Sequence, residues 1–224
     1  MKITWLGQAG LLLKHNDQTV LIDPYLSDSV AKINPKNKRR VPVDERFLQI
    51  KPNIMLFTHN HLDHYDPETV VHFLRADTNV TVLAPRSVWD EVRKTGGDNN
   101  YVLFNRHTRW TQGGLAFTAV LAAHSDATPI GVIVDDGVRK YYITGDTLYN
   151  EEIFADLPAD IDAVFLPING VGNNMNMTDA ADFAHRTGAK YVVPLHWGLF
   201  DALDPTQFTC DNKVIPQMYQ EINL

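Results

Sequence analysis

A layered α/β sandwich is the fold class that this 224-residue chain predicts. Three observations carry the expectation. Short apolar or alternating runs of strand type recur from end to end, with helical patterns interleaved among them. Several of these runs end directly in histidine or aspartate, which would gather polar groups along one rim of a sheet. No internal repeat, low-complexity tract or linker-like stretch breaks the series, so residues 1–224 are expected to form a single domain. Its 44% hydrophobic content is enough for a substantial core.

In order along the chain, strand-like runs fall at 2–6, 10–14, 19–23, 53–57, 80–84, 101–104, 115–122, 130–134, 138–143, 162–168 and 190–195. Helical patterns fall near 44–49, 67–75, 86–95, 150–156 and 178–187. The run Asn53-Ile-Met-Leu-Phe57 reads as a buried strand. Asp66-Pro67-Glu68-Thr69 reads as a helix start, with Asp as N-cap, Pro in the first helical position and an acid in the first turn. Val70, Val71, Phe73 and Leu74 give that helix its apolar face. Asp135-Asp136-Gly137 reads as a hairpin turn, and Gly188 as the stop of the last helix.

Composition narrows the function classes. The single cysteine, Cys210, excludes an intramolecular disulfide. No apolar stretch of signal-peptide or transmembrane type occurs, so a cytoplasmic protein without a membrane role is expected. A net charge of −7 gives no overall attraction to nucleic acid, which is not an expected partner. Nothing in the residues sets the oligomeric state, and a homo-oligomer is admitted.

The densest chemical signal is Thr58-His59-Asn60-His61-Leu62-Asp63-His64-Tyr65-Asp66, in the pattern His-x-His-x-Asp-His. Imidazole and carboxylate are the usual ligands of zinc and similar divalent ions. Residues two apart in extended chain point the same way, so His59 and His61 can reach one ion together. Asp63 and His64 fall where the chain turns, within reach of a second. A chance match in a chain this rich in histidine and aspartate comes to roughly one in a thousand. The weaker signals are His124 after an apolar run, Asp146 after Tyr141–Gly145, and His196 after Tyr191–Leu195. Taken singly these are an ordinary core histidine, a turn aspartate and another core histidine. His15, His72, His107 and His185 match no pattern and receive no role.

Taken in order, these motifs resemble the metallo-β-lactamase superfamily, with Leu21-Ile22-Asp23-Pro24 similar to the family's acidic strand end. The resemblance spans nearly the whole chain. It implies an αββα four-layer sandwich, two sheets between outer helices. It also implies that His59, His61 and His124 hold one metal, that Asp63, His64 and His196 hold another, and that Asp146 bridges them, with Asp63, Asp146 and His196 carrying the chemistry. Asp23 is then placed to accept the far N–H of a ligating histidine. Pro167-Ile168-Asn169-Gly170, Asp179-Ala180-Ala181 and Pro194-Leu195-His196-Trp197 look most like the metal-dependent hydrolases related to L-ascorbate 6-phosphate lactonase. That likeness implies a manganese- or zinc-dependent lactonase acting on a phosphorylated sugar acid. Neither a C-terminal helical addition like that of glyoxalase II nor an attached RNA-binding domain is expected from these residues.

The expected cofactors are two divalent ions, zinc first, with manganese or iron also suited to nitrogen and oxygen ligands. A metal lowers the pKa of a water from about 15.7 toward about 7, giving hydroxide at neutral pH for attack on an electrophilic carbon or phosphorus. Two dications, two carboxylates and one hydroxide leave the site positive by one, which suits a small anionic ester or lactone. The segment Lys32-Ile-Asn-Pro-Lys-Asn-Lys-Arg-Arg40 adds five basic side chains beside the presumed rim. Arg39 or Arg40 is the expected clamp for a substrate phosphate. The segment Asn169–Met177, opening on Asn169, offers amides for sugar or phosphate oxygens. Three functions stay open at this stage: a small-molecule hydrolase, a phosphodiesterase or nuclease using the basic segment on a phosphodiester backbone, and a metal-binding protein without turnover.

Overall fold

The apolar runs become strands of two facing sheets. The computed structural model describes residues 1–224. The first half of the chain forms β1 (Lys2–Gly7), β2 (Gly10–His15), β3 (Gln18–Ile22), β4 (Ile54–Leu56), β5 (Thr81–Ala84) and β6 (Asn100–Leu103), hydrogen-bonded in that order. The second half forms β7 (Arg109–Gln112), β8 (Leu115–Leu121), β9 (Ile130–Asp135), β10 (Lys140–Ile143), β11 (Ala163–Pro167) and β12 (Tyr191–Leu195), again in sequence order across the sheet. Each sheet begins as an antiparallel meander and ends as a parallel block: β3 to β6 in the first, β10 to β12 in the second. The loops leaving the parallel strands therefore share one rim.

Three apolar layers hold the sandwich together. Trp5, Ile22, Leu56 and Leu83 of the first sheet meet Phe117, Val132, Ile143, Phe165 and Leu195 of the second. The outer face of the first sheet packs on α2 (Pro67–Phe73) and α3 (Arg86–Val92), which follow the short α1 (Ser29–Ile33). The outer face of the second packs on α4 (Met177–Thr187) through Ala180, Phe183 and Ala184. This is the αββα order. The C-terminal tail covers the two adjacent sheet edges. Tyr219 and Ile222 donate backbone N–H to Trp5 and Ile3 on the β1 edge, and Val214 donates to Val192 on β12. Without that cover, both edges would offer open ladders to another chain. No helix is long and apolar enough to cross a membrane.

Local chemistry explains the elements. Asp66 caps α2 by accepting from Glu68 N and Thr69 N, with Pro67 at the first helical position. Asn176 caps α4, and Gly188 ends it in the left-handed conformation at φ 67°. Three expectations change. The helical patterns at 44–49 and 150–156 are 3₁₀ turns, Glu45–Gln49 and Glu151–Asp156, each started by a side-chain cap from Asp44 or Asn150. The pattern at 86–95 gives a helix only to Val92, then a 3₁₀ turn. The sequence Arg109-Trp-Thr-Gln112 lacks a strand signal, yet pairing with β8 makes it the edge strand β7.

Asp156, at the end of its 3₁₀ turn, ties the loop that precedes β7 to the end of β8. Its carboxylate accepts from Arg106 Nε at 2.7 Å and Nη2 at 2.9 Å, His107 Nε2 at 3.1 Å and Leu121 N at 2.9 Å. The Arg106 guanidinium beside it holds its pKa down at about 2. A carboxylate depressed in the folded state stabilises fully above its unfolded pKa of about 4, and this contribution fades as pH falls toward 2. Asp156→Asn is expected to cost about 1 kcal/mol at pH 7, after allowance for solvent screening around half-exposed Arg106. Urea unfolding of both proteins across pH 2–7 checks this. The gap should narrow below pH 4, whereas a gap independent of pH would assign the cost to lost hydrogen bonds alone.

Candidate metal centre

The rim shared by the parallel strands gathers the seven residues expected as ligands. Asp23 leaves β3, His59–His64 fill the loop from β4 to α2, His124 follows β8, Asp146 follows β10 and His196 follows β12. The first group, His59, His61, His124 and Asp146, has one ligand atom from each residue within 4.8 Å of all the others. Asp63, His64 and His196 form a second such group. Asp146 lies between them. Its Oδ1 is 3.2 Å from His64 Nε2, and its Oδ2 is 3.3 Å from His196 Nε2 and 3.9 Å from His124 Nε2.

Asp23 organises the loop. Its backbone is left-handed, at φ 44°, a conformation aspartate tolerates better than most residues. Its Oδ1 accepts from Thr58 N at 2.8 Å. Its Oδ2 accepts from the Thr58 hydroxyl at 2.5 Å and faces His64 Nδ1 at 2.8 Å. Thr58 Oγ1 in turn stands 3.0 Å from His59 Nδ1. One buried carboxylate thus orients two imidazoles, one directly and one through a hydroxyl, leaving both Nε2 atoms turned to the centre. A third close group, Asp23 with His59 and His64, is explained by this role, since both Asp23 oxygens are already engaged. Gly145, at φ 61°, lets the chain reach Asp146; a Cβ there would stand 2.8 Å from Thr58 Cβ.

The donor set fits divalent cations. His59 Nε2, His64 Nε2 and Asp146 Oδ1 are buried without a hydrogen-bond partner, which is costly unless something satisfies them. His61 Nδ1 and His124 Nε2 point at each other across 3.0 Å. Burial, aided by the neighbouring His64, pushes His59 well below the ordinary imidazole pKa, and burial lowers His124. Both keep a lone pair to donate. Burial also opposes charging of His196, but Asp146 and Asp63 override it and raise His196 to about 10. Burial opposes ionisation of Asp146 too, yet His196 and His64 hold it well below the usual carboxylate range. The carboxylates demand positive charge at their centre, the charge that metal ions supply.

Beside this centre opens a cleft of about 380 Å³, lined among others by Gln8, Asn37, Asn169, Asn174, Phe200 and Asp201. A pocket of about 450 Å³ between Leu48, Lys51, His72 and Arg75 contains none of the seven candidate ligands, and the smaller cleft is the one that adjoins them. No lysine or arginine lines that cleft. Arg39, expected as a phosphate clamp, is spent elsewhere in the fold, and Arg40 stands outside the cleft lining. Arg39 is buried and donates to Tyr25 O at 2.8 Å, Val41 O at 3.2 Å and the Tyr219 hydroxyl at 2.6 Å. It anchors the segment to the C-terminal tail. Arg40 exposes its side chain and donates its backbone N–H to Leu199 O. The segment reaches the cleft through Val30 and Asn37, because α1 and the 3₁₀ turn Pro35–Asn37 fold it back. Asn169 does line the cleft, and its amide stands 2.9 Å from His196 Nδ1.

Three residues here take roles that the sequence did not indicate. Gln8, left-handed at φ 47°, donates Nε2 to Asp63 Oδ2 at 2.9 Å, and its carbonyl accepts from His196 N at 3.0 Å. Asn174 donates to Asp146 Oδ2 at 2.8 Å. Thr58 links Asp23 to His59. The available signals were slight: a polar residue between glycines at 7 and 10, amides in a Gly-Asn run, and a threonine adjoining the histidine motif.

The β-lactamase superfamily domain matches residues 18–197. A UPF0173 metal-dependent hydrolase from Exiguobacterium sp. is 30% identical over 235 residues, spanning 94% of this chain and 92% of its own. One from Thermoplasma acidophilum is 28% identical over 225 residues, spanning 93% and 89%. Among solved structures, a possible metal-dependent hydrolase from Veillonella parvula superposes with a TM-score of 0.79 at 17% identity, covering 100% of this chain and 99% of that one, which is a likeness of fold.

Asp23→Asn keeps the left-handed backbone accessible while removing the charge that holds His64 and Thr58. It is expected to weaken zinc binding by about 10- to 100-fold, the range for partners of metal-ligating histidines. Competition with a chromophoric chelator measures it. Unchanged affinity would reduce Asp23 to a turn residue.

Proposed function

The chain belongs to the metallo-β-lactamase superfamily, among its metal-dependent hydrolases, and from that premise we propose that it hydrolyses a small ester or lactone with two divalent ions held side by side. The observation that carries this reading is the pair of ligand groups meeting at Asp146. His59, His61, His124 and Asp146 would hold one ion, and Asp63, His64, His196 and Asp146 the other, with zinc the first choice for such ligands. Bound there, the ions would acidify water and neutralise negative charge that develops on the substrate.

The chain's own residues supply the rest. Asp146 faces both groups and would set their separation. Asp63, 19% exposed on its side chain, lines the cleft and would take up a proton from water at the carboxylate oxygen that does not hold the ion, while Gln8 steadies its Oδ2. Gln8 and Asn174 fix the two carboxylates by donating an N–H to each. The cleft's volume suits a small molecule. Its amide-rich lining has no cation for a remote phosphate or a phosphodiester backbone. The proposed substrate is therefore an ester or lactone whose negative charge sits beside the ions, in preference to a phosphorylated sugar lactone or nucleic acid.

Elemental analysis of protein purified without added metal is expected to give two ions per chain, and His59→Ala with His196→Ala to lose both. Two ions retained by the double variant would overturn the ligand assignment. Asp146→Asn keeps the shape and loses the charge; kcat/KM is expected to fall at least about 100-fold. Near-normal turnover at saturating metal would remove Asp146 from the mechanism. In a substrate panel, turnover of lactones and carboxylic esters well above that of bis(p-nitrophenyl) phosphate is expected, and the reverse preference would establish a phosphodiesterase.

A further inference from the structure

Behind each of the other four histidines of the centre stands an oxygen. His59 Nδ1 has Thr58 Oγ1 at 3.0 Å, His64 Nδ1 has Asp23 Oδ2 at 2.8 Å, and His124 Nδ1 has the Asn173 carbonyl at 3.2 Å. His61 faces the centre through Nδ1, and its Nε2 has Ser125 Oγ at 3.5 Å. An oxygen there accepts the N–H of the nitrogen away from the metal, which leaves the inner nitrogen with its lone pair.

His196 has the same need. Its Nε2 stands 3.3 Å from both Asp63 Oδ2 and Asp146 Oδ2, so the inner nitrogen is Nε2 and the outer one, Nδ1, must carry the proton when a metal is bound. The group closest to Nδ1 is the Asn169 amide, at 2.9 Å through Nδ2. A nitrogen that carries two hydrogens cannot accept the Nδ1 proton. Gln8 Nε2, 3.4 Å away, is also a donor and is engaged with Asp63. The same Asn169 amide has its oxygen buried without any partner. Turning the amide by 180° about Cβ–Cγ exchanges the two atoms and brings an acceptor to Nδ1.

We propose that Asn169 presents its amide oxygen to His196 Nδ1 and is a positioning residue for the metal centre, holding His196 in the tautomer whose Nε2 binds metal. It does so from the Ala163–Pro167 strand end, as Asp23 does for His64 from the opposite sheet. The cleft wall at Asn169 thereby serves the ligand and not the substrate.

The inference rests on His196 being a metal ligand, and the test separates the two claims. Zinc affinity is measured by chelator competition at pH 8 for the wild type, His196→Ala, Asn169→Ala and Asn169→Asp. His196→Ala is expected to weaken binding, Asn169→Ala to weaken it about 10- to 100-fold, and Asn169→Asp to restore affinity to within about threefold of wild type. The last result is the discriminating one. Aspartate offers only oxygens, so it rescues if the proton is on Nδ1 and is damaging if an amide N–H is needed there. If Asn169→Ala fails to fold, Asn169→Asp decides alone: a tenfold or greater loss overturns the proposal. Unchanged binding in Asn169→Ala with a raised KM would also overturn it, making Asn169 a substrate contact. Unchanged binding in His196→Ala would overturn both claims. In ¹⁵N-histidine spectra of the zinc-loaded wild type, the His196 Nδ1–H is expected to be protected from solvent exchange, and in Asn169→Ala to lose that protection.

Discussion

The Asp23 carboxylate is the contact on which the centre depends. It accepts from Thr58 N and Oγ1 and from His64 Nδ1 while fully buried. Such a group is stable only because its two oxygens are fully used. The ladder between β3 and β4 brings it there: Ile22 pairs with Leu56, and Asp23 N bonds Leu56 O, so the next residues of both strands meet at the rim. The geometry of the His59–His64 loop follows from that pairing. The left-handed backbone at Asp23, and again at Gln8 and His196, shows where the chain accepts local strain to aim side chains inward.

Charge explains why the rest of the centre is arranged as it is. Asp63 and Asp146 are drawn together among five imidazoles, and the two carboxylates repel each other unless positive charge lies between them. Burial by both sheets strengthens every interaction there. Apart from Asp23, the partners outside the centre, Thr58, Gln8 and Asn174, are neutral. They orient the ligands without altering that balance. The cleft beyond is amide-rich and free of lysine and arginine, so the strongest charges meeting a substrate are those of the centre itself.

The segment 32–40 shows how composition misleads without a fold. Five basic residues beside a strand end read as a clamp, yet the one that is buried, Arg39, spends its donors on two carbonyls and a tyrosine of the C-terminal tail. Sequence gives the number of charges but not their directions, and directions here are set by a short helix that carried no clear periodic signal. β7 was illegible for a related reason. It is a half-exposed edge strand whose existence comes from its β8 partner.

By itself, the sequence determined most of the strand series, the helices α2 and α4, and the His-x-His-x-Asp-His loop between strand and helix, because these depend on periodicity and on caps within a few residues. The order of the later motifs, read through resemblance, brought Asp146, His124 and His196 into the candidate set. Only the tertiary structure decided which groups hold those ligands in place. The side-chain amides of Gln8, Asn169 and Asn174 act across separations of 27 to 55 residues, and a neutral amide carries no sequence signature until the sheets bring it to an imidazole or a carboxylate.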